Sequence, residues 1–229
     1  MNIILLDDSR NIQLFDKDSR VYSHVRDVLR MQSGDVFDIG LINGPRGKAE
    51  IQAIDDYSLK VEINWGEVPE RERNVTFLLG LARPQTVQKQ LNVLATLGVS
   101  RMIFFPTERG EASYASSRVW RDGKWERHVL EGVEQAFATR LPNVELLDSL
   151  EDATCCLDGD VRNRCVLDNY EAESSLRAFK TRSDISATTA IAVGSERGWT
   201  AMEREQFRAN GFVFAHMGQR VMRCETAAT

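Results

Sequence analysis

Short, unbroken apolar runs set the tightest limit on what this chain can become. Val75–Leu81, Met102–Phe105, Cys165–Leu167, Ala190–Val193 and Phe212–Ala215 are continuous rather than alternating, the pattern of strands buried on both faces. Val144–Leu147 reads as a further short strand. Helical periodicity fills most of the gaps. Thr86–Leu97 places Leu91, Leu94 and Ala95 on one face, with Gly98 as its C-cap. Trp125–Thr139 reads as a long helix with Val129, Gly132, Val133 and Ala136 on one side, and Ala201–Asn210 as another helix. Strands alternating with helices imply an α/β domain around a mostly parallel sheet.

The start of the chain has a different period. Asn2–Leu6, Val36–Leu41, Ala49–Ile54 and Leu59–Trp65 read as strands. Asn43-Gly44-Pro45-Arg46-Gly47 is a hairpin signal whose glycines are expected to supply positive φ. Tyr22–Arg30 carries Val25, Val28 and Leu29 at helical spacing and predicts a short helix. Together these make a small, mostly antiparallel barrel. The polar run Gly66–Arg73, which contains Pro69, is expected to be the linker.

Composition excludes several classes. No stretch approaches the roughly 18 consecutive apolar residues of a membrane span. The opening MNIILLDDSR lacks a basic start and an A-x-A-like cleavage site, so secretion is not expected. Cys155, Cys156, Cys165 and Cys224 have no CxxC spacing and histidines number only 3, so no metal site is expected and a reduced, cytoplasmic setting fits. The net charge of −5 is concentrated in residues 1–70, with 8 Lys/Arg against 13 Asp/Glu. Bulk positive field therefore cannot draw a nucleic acid to this protein, and any such partner must be met by a local patch. Of 29 basic residues 23 are Arg, whose planar fork suits phosphate; genomic composition explains the bias equally well.

Two glycine loops follow apolar strands. The first is Gly194-Ser195-Glu196-Arg197-Gly198 after Ala190–Val193; the second is Met217-Gly218-Gln219-Arg220-Val221-Met222-Arg223-Cys224-Glu225-Thr226 after Phe212–Ala215. In open α/β sheets ligands bind beyond the carboxyl ends of strands, where glycine lets backbone approach them. Neither loop has the G-x-G-x-x-G or P-loop spacing. Each alone also reads as a tight β–α turn, and Glu225 or Thr226 as a mere helix cap.

The chain resembles the RsmE-type 16S rRNA uridine-N3 methyltransferases of the SPOUT superfamily. Family sequences read approximately IGPEGG at Val193–Gly198 and LGxRILRxETA at Met217–Ala227. Arg83-Pro84 with Leu97-Gly98-Val99, Glu108-Arg109 with Ser113-Tyr114, and Glu134-Gln135-Ala136 with Leu141-Pro142 resemble the middle segments. Val28-Leu29-Arg30-Met31 with Gly34-Asp35 resembles the family's PUA-like barrel block. Ser195 stands where the family has Pro, Arg197 where it has Gly, and no Lys follows Arg83-Pro84. The family continues beyond its ETA motif while this sequence stops at Thr229, so a truncated chain is expected.

The resemblance implies a PUA-like RNA-binding barrel over residues 1–68 and a SPOUT methyltransferase domain over 74–229, closed by a C-terminal trefoil knot. It implies S-adenosylmethionine as cofactor, 16S rRNA or the 30S subunit as partner, and a homodimer without membrane or metal. The cofactor set it implies is Leu167, in the loop that continues through Asp168-Asn169, then Val193, Gly194, Ser195, Glu196, Gly198, Met217, Gly218, Val221, Met222 and Thr226. Arg220 and Arg223 are candidates to stabilise charge on the uracil, and Glu225 to accept a proton or orient an arginine; an ion pair with a neighbouring Arg is the plainer role for Glu225. Candidate RNA contacts are Arg20, Arg26, Arg30, Arg83, Arg109 and Arg118, with Arg26 and Arg30 on one face if their segment is helical. The alternatives are a SPOUT methyltransferase with another RNA target, or an RNA-binding assembly protein without turnover.

Overall fold

A computed structural model describes residues 3–69, 74–157, 159–184 and 186–229. Asn2, at the start of the first expected strand, and residues 70–73 of the expected linker lie outside the described residues. The chain divides into two units, Met1–Arg71 with Val133–Leu141, and Glu72–Gly132 with Pro142–Thr229.

The first unit is a curled five-stranded sheet. Its strands are β1 (Ile4–Leu6), β2 (Ile12–Asp16), β3 (Val36–Leu41), β4 (Arg46–Ile54) and β5 (Ser58–Trp65), in the order β1-β3-β4-β5-β2. Only β1 and β3 pair in parallel; the other neighbours are antiparallel. Alternation on β4 and β5 sends Ala49, Ile51, Leu59, Val61 and Ile63 inward, where Val25 and Ile39 join them. The sequence pattern conceals β2. Its apolar Ile12 and Leu14 are exposed while Gln13 is buried, the amide donating to Asp8 O and Arg10 O. The positive φ of the β3–β4 hairpin falls on Asn43, not on a glycine. The expected helix over Tyr22–Arg30 is α1 (Arg20–Ser23) followed by one π-helical turn, His24–Val28. Val25 is inside, but Val28 and Leu29 are exposed, and Arg30 has φ 56°. Arg26 and Arg30 therefore share no helical face.

The second unit is a seven-stranded, all-parallel sheet. Its strands are β6 (Val75–Gly80), β7 (Arg101–Phe105), β8 (Asn143–Leu146), β9 (Val161–Leu167), β10 (Ser174–Ser175), β11 (Thr188–Val193) and β12 (Val213–His216). Their order is β10-β12-β9-β11-β6-β7-β8. The helices are α2 (Pro84–Thr96), α3 (Arg118–Arg121), α4 (Lys124–Gln135), α5 (Leu150–Cys155), α6 (Leu176–Arg182), α7 (Ala201–Ala209) and α8 (Cys224–Ala227). Proline opens α2 at its first turn, where no donor is needed, and Gly98 at φ 75° closes it. A capping box between Thr200 and Glu203 starts α7.

The helix expected to reach Thr139 stops at Gln135, and Phe137 turns at φ 56°. Residues 133–141 belong instead to the first unit, and Glu134 explains why. Its buried carboxylate accepts from Leu5 N at 2.9 Å and pairs with both terminal nitrogens of Arg20, at 2.9 and 2.8 Å. Thr139 lies against Gly40, where a Cβ would come within 2.7 Å of the threonine methyl.

Candidate active site

Sheet order builds the site. β12, β9 and β11 are adjacent and parallel, so the loops after their carboxyl ends converge. They enclose a cavity of about 320 Å³, within the roughly 300–1,000 Å³ range of ligand clefts. Leu167 and Asp168–Tyr170 come from the first loop, Val193–Trp199 from the second, and Met217, Val221, Met222, Cys224 and Ala227 from the third.

The middle loop is held from three sides. Ser195 is buried, its hydroxyl 3.0 Å from that of Thr107, and Ser195 O accepts from Gly198 N at 2.9 Å across a tight turn. Gly198 has φ 63°, which suits glycine there. The Glu196 carboxylate accepts from Arg83 N and from the Thr86 hydroxyl, at the start of α2. Trp199 is buried beneath the loop, stacked on Phe105 and edge-on to Phe207, and donates through Nε1 to Leu167 O. Arg197 donates to Arg109 O and pairs with Glu111, while Arg109 donates back to Arg197 O.

The loop after β9 rests on a buried ion pair. Asp168 accepts Arg204 Nε on one oxygen at 2.7 Å, and the N–H groups of Tyr170 and Glu171 on the other. In the third loop Gly218 has φ 112°, and its N–H donates to His216 Nδ1. Glu225, in the first turn of α8, lies 3.4 Å from Lys89. Its own backbone N–H, together with Lys89, holds its carboxyl below the usual glutamate range.

Nine of the expected cofactor residues line the cavity: Leu167, Val193, Gly194, Ser195, Glu196, Gly198, Met217, Val221 and Met222. Gly218 and Thr226 do not; the first shapes its loop and the second is exposed on α8. Arg220 and Arg223 are exposed and lie outside the lining, as does Glu225. The cation paired with Glu225 is Lys89, not a neighbouring arginine. Both contacts stabilise Glu225 as the anion.

The candidate RNA contacts divide similarly. Arg20 is committed to Glu134, and Arg26 to the Tyr22 hydroxyl, Asp55 O and Asp56. Arg30, Arg83, Arg109 and Arg118 are exposed. Arg26→Ala is accordingly expected to lower the melting temperature slightly and leave the salt slope of RNA binding unchanged. A slope reduced by about one unit would instead show a phosphate contact at Arg26.

No sequence pattern marks Trp199, Tyr170 or Arg204 as site residues, and Asp168 and Cys224 fall in the loops without a role. Only the acid directly after the apolar run Cys165–Leu167 signals the Asp168–Arg204 pair. Burial pushes the Cys165 thiol up to about 12 and, with the nearby carboxylates of Glu196 and Glu225, the Cys224 thiol up to about 11. Iodoacetamide at pH 8 is therefore expected to label exposed Cys155 well ahead of both. Rapid labelling of Cys224 in the folded protein would contradict the seating of α8.

Among the described residues no group of three or more His, Cys, Asp and Glu is placed to hold a metal, and no helix is long and apolar enough to cross a membrane. Residues 69–229 match the RNA methyltransferase domain family and residues 12–64 the RNA methyltransferase PUA domain family. A ribosomal RNA small subunit methyltransferase E of Treponema pallidum is 33% identical over 241 residues, spanning 100% of this chain and 88% of that protein. A ribosomal RNA small subunit methyltransferase E 1 of Borreliella burgdorferi is 24% identical over 204 residues, 89% of this chain and 84% of its own. A crystal structure of ribosomal RNA small subunit methyltransferase E from Neisseria gonorrhoeae bound to S-adenosyl methionine has a TM-score of 0.82 at 20% identity, covering 100% of this chain and 93% of that one. A Legionella pneumophila protein solved in complex with the same cofactor has a TM-score of 0.83 at 19% identity, covering 100% of this chain and 94% of that one. At those identities the two structures establish a shared fold.

Proposed function

We propose that this chain, which belongs to the RNA methyltransferase family that includes ribosomal RNA small subunit methyltransferase E, transfers a methyl group from S-adenosylmethionine to N3 of a uridine in 16S rRNA. The observation that carries this reading is the cavity at the converging ends of β9, β11 and β12, in a chain of this family. Its lining fits the cofactor. Leu167, Val193, Met217, Val221 and Met222 offer apolar surface, and the Gly194–Gly198 loop offers backbone groups for polar edges. The resemblance supports the finer assignments: the atom methylated, the knotted threading of the C-terminus and the cytoplasmic setting.

The cofactor supplies a methyl group already activated on a sulfonium, so the protein's tasks are binding, orientation and proton handling. Glu196, anchored at the start of α2, and the Asp168–Arg204 pair fix two of the three loops before ligand arrives. N3 of uracil is a pairing atom and carries a proton, so the base must be presented unpaired. As that proton passes to Glu225 or to solvent water, negative charge spreads onto the flanking carbonyl oxygens. Arg220 and Arg223, exposed in the third loop, are the cations available there to stabilise it. Glu225, two residues from Arg223 and 3.4 Å from Lys89, is the carboxylate that orients an arginine or accepts the proton.

Calorimetry with S-adenosylmethionine and transfer of labelled methyl to 30S particles from a strain lacking the gene test this reading. Binding with methyl incorporation is expected; binding without incorporation would leave only an RNA-binding role. The superfamily resemblance further supports a homodimer, so light scattering is expected to return twice the 25.9 kDa chain mass. A monomer at micromolar concentration would contradict it.

A further inference from the structure

Tyr170 is 85% exposed, yet its loop is tied to a buried ion pair. Its backbone N–H donates to Asp168 Oδ1 at 2.5 Å, and that of Glu171 to the same oxygen at 3.0 Å. Asp168 is buried, and its own N–H donates to Ala215 O on β12. Its second oxygen holds Arg204, whose guanidinium carbon lies 5.7 Å from the centre of the Tyr170 ring. One ring face is thus backed by a cation, while the side chain as a whole remains open to solvent. Tyr170 also lines the cavity. Exposing so large an aromatic on a loop held by a buried ion pair is a poor use of the residue for packing.

We propose that the free face of Tyr170 is the stacking platform for the extruded uracil of the RNA substrate. The inference rests on the methyltransferase reading above and adds the residue that receives the base. A base unpaired for reaction at N3 leaves its neighbours in the stack, and an aromatic ring at the cavity rim replaces one of them. Stacking on a side chain reads no hydrogen-bond edge, so it leaves the uracil oxygens open to arginine.

The test compares the full-length protein with Tyr170→Phe, Tyr170→Leu and Tyr170→Ala. S-adenosylmethionine affinity is measured by calorimetry, and KM for 30S particles at several salt concentrations. Tyr170→Ala and Tyr170→Leu are expected to raise KM for RNA about 10-fold, the scale of one lost base–aromatic stack. Tyr170→Phe, which keeps the ring, is expected to stay within about twofold of wild type. The salt slope of KM is expected to hold in all three, because a base stack involves no phosphate, and any loss of cofactor affinity is expected to be smaller than the loss for RNA. Weakened cofactor binding with unchanged KM for RNA would overturn the proposal and give the ring to the adenine. Wild-type KM in Tyr170→Ala would overturn it outright. Failure of the underlying reading is distinguishable, because the wild-type protein would then transfer no methyl before any substitution is made.

Discussion

Arg204→Met is expected to cost the second unit about 3–5 kcal/mol, the scale of a buried ion pair deprived of one partner. Its partner is the reason. The Asp168 side chain is 1% exposed and cannot recover hydration when the guanidinium is removed. The Leu167–Glu171 loop should loosen with it, so cofactor affinity is expected to fall as well. The double variant Asp168→Asn with Arg204→Met removes both charges but keeps an oxygen to receive the N–H groups of Tyr170 and Glu171. It is expected to regain most of the stability lost by the single change. Urea unfolding checks both. A loss below about 1 kcal/mol in Arg204→Met would place the pair among solvated surface contacts.

Gly80→Ala is expected to lower affinity for S-adenosylmethionine on the order of 100-fold, although Gly80 does not line the cavity. A Cβ at Gly80 would lie 2.6 Å from the Thr107 methyl carbon and 2.8 Å from Ser195 N. The latter is backbone, so the middle loop itself must shift. At Gly194 a Cβ is merely tight, 3.3 Å from the Trp199 ring, so Gly194→Ala should be tolerated. Gly194→Val adds two methyl groups that must enter either the cavity or the indole, and it is expected to abolish binding. Calorimetry on the three variants, with thermal melts as a control for folding, decides the order. Equal affinity in Gly80→Ala and wild type would mean that the loop's position does not control the cofactor.

The second unit was legible where burial is two-sided. Strands β6, β7, β9, β11 and β12 announce themselves because each contains a short apolar run, although β9 also carries Arg162, Asn163 and Arg164 and buries Asn163. The motifs beyond β11 and β12 pointed to the converging loops, although order in the sheet is a long-range property that periodicity does not carry. What stayed hidden depends on partners distant in sequence. Strand β2 buries Gln13 because two carbonyls of the preceding loop receive its amide, which reverses the usual alternation. The helix α4 ends early because Glu134 finds Leu5 and Arg20, more than 100 residues away. Glu225 meets Lys89 by the same kind of long-range encounter, in addition to its sequence neighbour Arg223.

The most direct test of the account is to map methylated nucleotides in 16S rRNA by nucleoside mass spectrometry and primer extension. Four sources are compared: the wild-type strain, a strain lacking this gene, and that strain supplied with either the wild-type protein or Gly80→Ala. Methylation at N3 blocks Watson–Crick pairing, so reverse transcriptase stops at the modified uridine. The predicted result is one N3-methyluridine that disappears with the gene, returns with the wild-type protein and returns weakly or not at all with Gly80→Ala. A deletion strain that keeps every N3-methyluridine of its 16S rRNA, or that loses methylation at a different atom or in a different RNA, would contradict the account.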